Sequence, residues 1–427
     1  MVSAWPIRSL AALVMALLTA GAVGCQALPP TRQGASNGEL RGVLFLAMGI
    51  PNDETIDTEL MEALKERLSM TLREFHLIYP QAQVQLQLYP EDQLPREMRL
   101  RAAAGTAPDL WFVNDSTAAD LHRMGLTRAV RMPPDLLRRL DRAAVRRFQT
   151  STGEVSSLPV LLLPQLACFD QRRLPRAPTD IDALLALAEE GVRVGLPLDG
   201  FNLAWTFGSL GVADSVEELF AGQPATAARR EALGRWLLWL KRADALPDLT
   251  FQLSQSQLVA DLGAGRLDWT SCRSTHLARL RKDLGNHLGL APLPAGPGGL
   301  PTPLSRQRVL AFGRHSSPAQ QEVAQAFARF VVMPLTQRNL ALQREEVVPA
   351  IESLRLPPGR KGTLRLLAIA QAQGRRARRS GQAMFQRGDQ QGEAMGRVVS
   401  RFLYGELDQQ GAIDGLVRVI QARPLRP

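Results

Sequence analysis

Apolar positions along the chain recur with two periods, one of two residues and one of three to four. Val43-Leu44-Phe45-Leu46-Ala47-Met48 is an apolar run of strand length, and Thr58 to Phe75 carries Leu60, Leu64, Leu68 and Leu72 on one helical face. Val84 to Leu88 then alternates apolar and polar, the mark of a half-buried strand. A helical stretch from Leu94 to Ala104 and a strand at Leu110-Trp111-Phe112-Val113 continue the order. Strand, helix, strand, helix in succession predicts an α/β layer.

Ser157 to Phe169 is extended and interrupted by Pro159 and Pro164, as expected where a chain crosses between lobes. Helices and short strands resume from Asp180 to Leu293, and the Pro- and Gly-rich run Pro292 to Pro303 predicts a second crossing or a surface loop. Val309 to Phe312 returns as strand, and Pro318 to Val332 is a helix carrying Val323, Phe327 and Phe330. From Glu352 onward the pattern is mostly helical, with one dense charge run, Arg375 to Arg379. Such a run is usually a solvated helix face, although beside a membrane it would meet anionic headgroups.

The length of 427 residues and the 45% hydrophobic share suffice for a core in each of two lobes. Basic residues number 51 against 41 acidic ones, and a pI near 10.4 would ordinarily suggest nucleic acid. The N-terminus argues otherwise. Arg8, an apolar stretch from Leu10 to Ala20 and then Gly21-Ala22-Val23-Gly24-Cys25 read as a secretory signal over 1–24, too short for a comfortable membrane span. The residues before Cys25 resemble a lipobox, with Ala22 where that motif prefers Leu, and this implies a lipid anchor on Cys25. An ordinary cleaved signal with an incidental cysteine is the plainer alternative. Residues 25–40, rich in Pro, Gly and Ser, then read as a flexible tether. Cys168 and Cys272 have no metal-ligand spacing; they are either a disulfide or, the favoured reading, two small buried residues.

Several short motifs in order resemble family 1 of the bacterial extracellular solute-binding proteins, the maltodextrin-binding kind. Ala102-Ala103-Ala104-Gly105-Thr106-Ala107-Pro108-Asp109-Leu110 is similar to the family's helix-to-strand turn, with Leu121 to Leu126 as the helix that follows. Leu158-Pro159, Cys168-Phe169-Asp170-Gln171, Pro178-Thr179, Gly265 to Trp269, Leu290 to Pro294, Ala324 to Phe330 and Val348-Pro349 match later segments. Asp170 replaces the usual Asn, and the tryptophan often found after the threonine is absent. The resemblance implies an α/β, two-lobed periplasmic-binding-protein fold of the class II type, with an interlobe cleft and a helical C-terminal part. The expected lobes are 41–155 plus 305–345 and 156–304 plus 346–427. It also implies a monomeric receptor for a small solute, a sugar or oligosaccharide, serving an ABC permease and its ATPase, with no enzymatic activity, cofactor or nucleic acid.

In open α/β sheets ligands sit beyond the carboxyl ends of strands. The turns after the first and third strands supply Asn52 and Asp53, and Asn114, Asp115 and Ser116. Amides and carboxylates suit sugar hydroxyls, and the alternative for these residues is helix capping. Indole rings suit the CH faces of sugars. Trp205 and Trp269 are the expected platforms, against core packing, whereas Trp111, Trp236 and Trp239 sit in apolar surroundings that predict burial. Arg273 is expected either to meet an anionic substituent or to be a surface charge. Catalytic motifs are lacking: no HExxH, GxSxG or P-loop occurs, and the five histidines are scattered. The rival readings are a sensor or envelope scaffold that no longer transports, and an exported hydrolase with carboxylates converging in the cleft.

Overall fold

The two periodicities resolve into separate elements in the expected order. The structure, a computed structural model, describes residues 40–50, 58–91, 93–343, 347–354, 363–376, 382–385 and 389–422. It begins with β1 (Gly42–Ile50), the helix Thr58–Ile78, β2 (Ala82–Pro90), the helix Leu94–Ala103, β3 (Leu110–Asn114), the helix Asp115–Arg123 and β4 (Thr127–Arg128). Short helices Pro134–Arg139 and Arg142–Arg146 lead to β5 (Ser157–Leu163) and β6 (Gln165–Asp170). Next come the helix Ile181–Glu189, β7 (Val194–Pro197), the helices Gly200–Leu203, Trp205–Ser209, Ala213–Phe220 and Ala227–Asp244, and β8 (Leu249–Gln252). The helix Gln255–Gly263, β9 (Trp269–Arg273), the helix Leu277–Leu284 and β10 (Leu288–Ala291) follow. The chain ends with β11 (Arg306–Gly313), helices Pro318–Val331 and Pro334–Gln343, β12 (Val348–Pro349) and helices Thr363–Arg376, Gln382–Phe385, Asp389–Leu403 and Gln409–Gln421.

Among the described residues the strands form two sheets, ordered β12-β5-β11-β3-β1-β2, with β4 on β11, and β10-β6-β9-β7-β8. In the first, β1 runs parallel to β2 and β3, and β11 runs antiparallel to β3 and β5. In the second, β7 is parallel to β8 and β9, and β6 is antiparallel to β9 and β10. The crossing falls at Pro164, between β5 and β6. The strands β5 and β12, which boundaries at 155 and 345 would give to the second lobe, therefore pair into the first sheet. Pro159 does not prevent this, because the register slips beside it: Arg308 faces Leu161 while Val309 faces Pro159. A proline in a sheet is confined to such irregularities, since it has no N–H for the ladder.

Each sheet has its own core. Phe75 of the Thr58–Ile78 helix meets Phe327 edge-on at 5.1 Å and Phe330 at 5.5 Å, which holds two helices over the first sheet. The Pro318–Val331 helix starts on a capping box in which Ser317 and Gln320 satisfy each other's backbone N–H groups. Around the second sheet, Trp236, Leu237 and Leu240 share a core with Met395, Val399, Ile413 and Leu416 of the C-terminal helices. The Pro- and Gly-rich loop lies backbone to backbone on the Trp205–Ser209 helix: a side chain on Gly298 would stand 1.9 Å from the nitrogen of Gly211. Cys168 and Cys272 are both buried and disulfide-bonded, tying β6 to β9. Among the described residues no helix is long and apolar enough to cross a membrane.

Candidate functional site

The ends of strands from both sheets meet at the Pro164 crossing. Arg306, the first residue of β11, pairs with Leu163 at the end of β5. Arg273, the last residue of β9, pairs with Gln165 at the start of β6. Two guanidinium-bearing residues from different sheets thus flank a single proline. Each is held by its own polar neighbourhood.

On the first sheet the neighbourhood is charged. Asp115 opens the Asp115–Arg123 helix directly after β3, its side chain only 3% exposed, with Arg147 at 3.5 Å and Arg306 at 3.6 Å. Asp115 also accepts a hydrogen bond from the N–H of Ser116, which is itself buried. Arg147 donates to the carbonyl of Ser305 at 2.8 Å. Burial pushes the Arg147 guanidinium down to about 10, while Asp115 and Asp141 pull it back up and Arg306 opposes them. It stays charged at neutral pH. Arg306 lies over the ring of Phe201 from the second lobe, 5.3 Å from its centroid, so this side chain spans the junction.

On the second sheet the neighbourhood is built of amides. Asp199 caps the Gly200–Leu203 helix by accepting from the N–H groups of Phe201 and Asn202 at 2.8 and 2.9 Å. That places Asn202 beside Arg273, whose guanidinium donates to the side-chain oxygens of Asn202 and of Gln255, the latter at 3.2 Å. Gln165 donates to the Asn202 carbonyl at 2.8 Å, and Gln255 to the Ser271 carbonyl at 3.2 Å. Amide oxygens face the arginine and amide nitrogens face carbonyls, so the guanidinium is oriented from two sides.

The expected residues separate into three groups. Asp115, Ser116 and Arg273 stand at the junction. Asn114 is close by but committed: its side-chain oxygen accepts from Arg308 at 3.1 Å and its N–H donates to Glu91 at 2.7 Å. Asn52, Asp53 and Cys25 lie outside the described residues. The expected platforms need correction, because Trp205 and Trp269 are both 0% exposed and pack edge to face at 6.4 Å. Trp269 starts a central strand, paired with Phe169 and Val194, and Trp205 belongs to a helix buried along its whole length beneath the Pro- and Gly-rich loop. Neither offers a face to a ligand. Trp111, Trp236 and Trp239 are buried as expected.

Arg147, Asn202, Gln255 and Arg306 were not legible in advance. Isolated arginines carry no signal in a chain with 51 basic residues, although Arg306 does sit where the second crossing rejoins a strand. Among the described residues no group of His, Cys, Asp and Glu could hold a metal. The arrangement is one of oriented donors with buried carboxylates among them, suited to holding a polar small molecule.

The family model described as bacterial extracellular solute-binding protein matches residues 79–361. No curated relative matches the chain by sequence. Among solved structures, maltose-bound MalE3 of T. maritima is 18% identical, with TM-score 0.66, over 89% of this chain and 99% of that one. An unliganded maltodextrin-binding protein, MalE1 of L. casei BL23, is 15% identical with TM-score 0.65 over 90% and 100%. An ABC transporter solute-binding protein of Thermotoga lettingae, bound with α-D-tagatose, is 15% identical with TM-score 0.64 over 89% and 98%. The fold is the two-lobed solute-binding one, and by the match over 79–361 this chain belongs to the bacterial extracellular solute-binding protein family.

Proposed function

We propose that this protein is the capture subunit of an ABC importer, which closes its lobes around a small carbohydrate and delivers it to a membrane permease. The observation that carries the reading is that Arg306 and Arg273, one from each sheet, pair with the residues on either side of Pro164. A solute held between them contacts both lobes, so binding favours closure about the crossing segments. The sugars bound by the T. maritima and T. lettingae proteins support a carbohydrate. The lobes divide as the sheets do, with β5 and β12 in the first. Export through the signal at 1–24 and anchoring through a lipid on Cys25 would hold the receptor beside its permease. Substitution of Cys25 by Ser should then release the chain from the membrane fraction.

The deciding experiment is a thermal-shift screen of the exported chain against mono- and oligosaccharides, polyols and their acidic derivatives. A ligand of the native state raises apparent stability by about 2.7 kcal/mol at a hundred times its dissociation constant. Burial of Trp205 and Trp269 favours a second reading, in which the chain is a sensor or scaffold without transport. In that case no solute shifts the melt, and scattering profiles stay the same with every sugar tried.

A further inference from the structure

Isolated leucines at a surface need no explanation, whereas several gathered in one place mark a contact. On the outside of the first lobe two helices, Thr58–Ile78 and Pro334–Gln343, are joined by a hydrogen bond of 3.5 Å from the Asn339 amide to the Glu74 carboxylate. Side chains three and four residues apart share a helix face. Leu77 and Ile78 therefore stand beside Glu74 on one helix, and Leu335 and Leu342 beside Asn339 on the other. All four are exposed, Leu77 by 79% and Leu335 by 68%. Phe75 on the first helix, and Gln337 and Ala341 on the second, take the buried sides, so each helix turns leucines outward. Arg73 and Arg338, on the same turns, are exposed too, and among the described residues neither has an ion-pair partner.

We infer that this two-helix face rests on a lipid bilayer, its leucines at the acyl boundary and its arginines among anionic headgroups. The inference rests on the anchoring of Cys25 proposed above and adds a second point of contact. Three observations carry it. First, the chain enters the fold beside this face: Leu40 shares a core with Phe75, and the N–H of Gly42 donates to the carbonyl of Gln81, three residues beyond Ile78, at 3.2 Å. Residues 25–39, fifteen in all, span at most roughly 50 Å, so an anchored chain keeps this end of the lobe near the membrane. Second, leucines flanked by arginines suit a surface with an acyl interior and anionic headgroups. A second copy docked on the same face about a twofold axis would bring like charges together. Third, the face belongs wholly to the first lobe. Leu77 and Ile78 lie at the end of the sheet where β1 and β2 start, and the Pro164 crossing faces the end where β3 finishes. A permease that responds to closure must touch both lobes, which this face cannot offer, whereas lipid here leaves the crossing clear. Without the anchor the contact is too weak to hold the chain in a membrane fraction; with it, the face meets lipid at high effective concentration.

The test uses the exported chain carrying Cys25→Ser, so that no acyl group contributes. With Cys168 and Cys272 in their buried disulfide, an introduced cysteine is then the one free thiol. An environment-sensitive fluorophore on Leu342→Cys should brighten and shift to the blue when mixed phosphatidylcholine and phosphatidylglycerol vesicles are added at millimolar lipid. The same label on Tyr404→Cys, exposed on the second lobe, should not respond. Leu77→Ser with Leu335→Ser should weaken vesicle binding at least about 10-fold and leave the melt of the free chain unchanged. Arg73→Gln with Arg338→Gln should weaken binding to the mixed vesicles, as should salt, and leave binding to phosphatidylcholine alone as it was. No response of the Leu342 label to lipid, an equal response at Tyr404, or vesicle binding untouched by the leucine substitutions overturns the bilayer contact. So does a label that brightens with protein concentration in the absence of lipid while the sedimenting mass doubles, which gives the face to a second copy. Release of the Cys25→Ser chain from cell membranes is read separately, so the anchor stands or falls on its own.

Discussion

Arg306 and Arg308 stand two residues apart on one face of β11, and each meets a buried carboxylate and a phenylalanine ring, yet the regions they serve differ. Arg308 is sealed inside the first lobe, donating to Glu91 at 3.0 Å, to Asn114 at 3.1 Å and to the carbonyls of Gly49 and Phe112 at 2.6 and 3.0 Å. Its guanidinium also lies 4.9 Å from the ring centre of Phe112. That network welds the ends of β1, β3 and β11 and the turn after β2. Arg306, one step nearer the crossing, reaches Asp115 at 3.6 Å and the second lobe's Phe201. A buried ion with all its neighbours in one lobe serves rigidity, whereas the same residue type at the crossing is positioned to respond to the other lobe. The difference between them is topological: β11 passes from the lobe interior to the boundary within two residues.

The comparison can be broken first at Glu91. Glu91→Ala leaves Arg308 buried without its carboxylate and should cost about 3–5 kcal/mol, read from urea unfolding. Replacing the pair together, Glu91→Leu with Arg308→Met, should recover much of that loss, because the main penalty comes from the orphaned charge. Similar losses from single and double variants would mean that packing around Phe112, and not charge, holds the strand ends.

Trp269→Ala tests the correction made for the indoles. Removing a fully buried tryptophan should cost about 3–5 kcal/mol, an effect on folding that is present without any ligand. An unchanged melt with lost binding would put the ring back in a cleft.

A smaller effect is expected at Asp268, which joins the starts of β7 and β9. Burial raises its carboxyl, but hydrogen bonds from Arg193, at 2.6, 2.9 and 3.0 Å, outweigh that and hold it below the usual aspartate range. A folded-state value below the unfolded one means stability that is complete above the unfolded value near 4 and is lost as pH falls toward the folded value. Asp268→Asn should cost about 2 kcal/mol at pH 7, less than a sealed pair because Arg193 is partly exposed, and should flatten the acid limb of a stability profile. An acid limb as steep as before would assign that dependence to other carboxylates.

How much of this was legible in the sequence follows from which interactions are local. The strands expected at 43–48, 84–88, 110–113 and 309–312 lie inside β1, β2, β3 and β11, and the helix expected at 318–332 ends one residue earlier. Periodicity is a property of neighbours, so it survives folding. The placement of β5 was less legible, because a stretch buried at every position reads the same beside either sheet; only its ladder with β11 puts it in the first. The tryptophans show the same limit. Apolar neighbours marked Trp236 and Trp239 as core, but Trp205 and Trp269 have mixed surroundings in sequence, and what buries them is a loop and a strand far along the chain.

Arg306→Gln closes the series with the smallest expected effect on stability. Its contact with Asp115 is longer than a hydrogen bond, and Asp115 keeps Arg147, so Asp115 is not orphaned by the change. The free protein should lose less than about 1 kcal/mol, because a 3.6 Å contact to an aspartate that keeps a second arginine is a weak pair. This is the sharpest contrast with Arg308, two residues away on the same strand, whose network Glu91→Ala should unfold at several times that cost. A loss at Arg306 as large as at Glu91 would make the junction a second structural weld, because a side chain poised for the other lobe contributes little to the resting fold of its own.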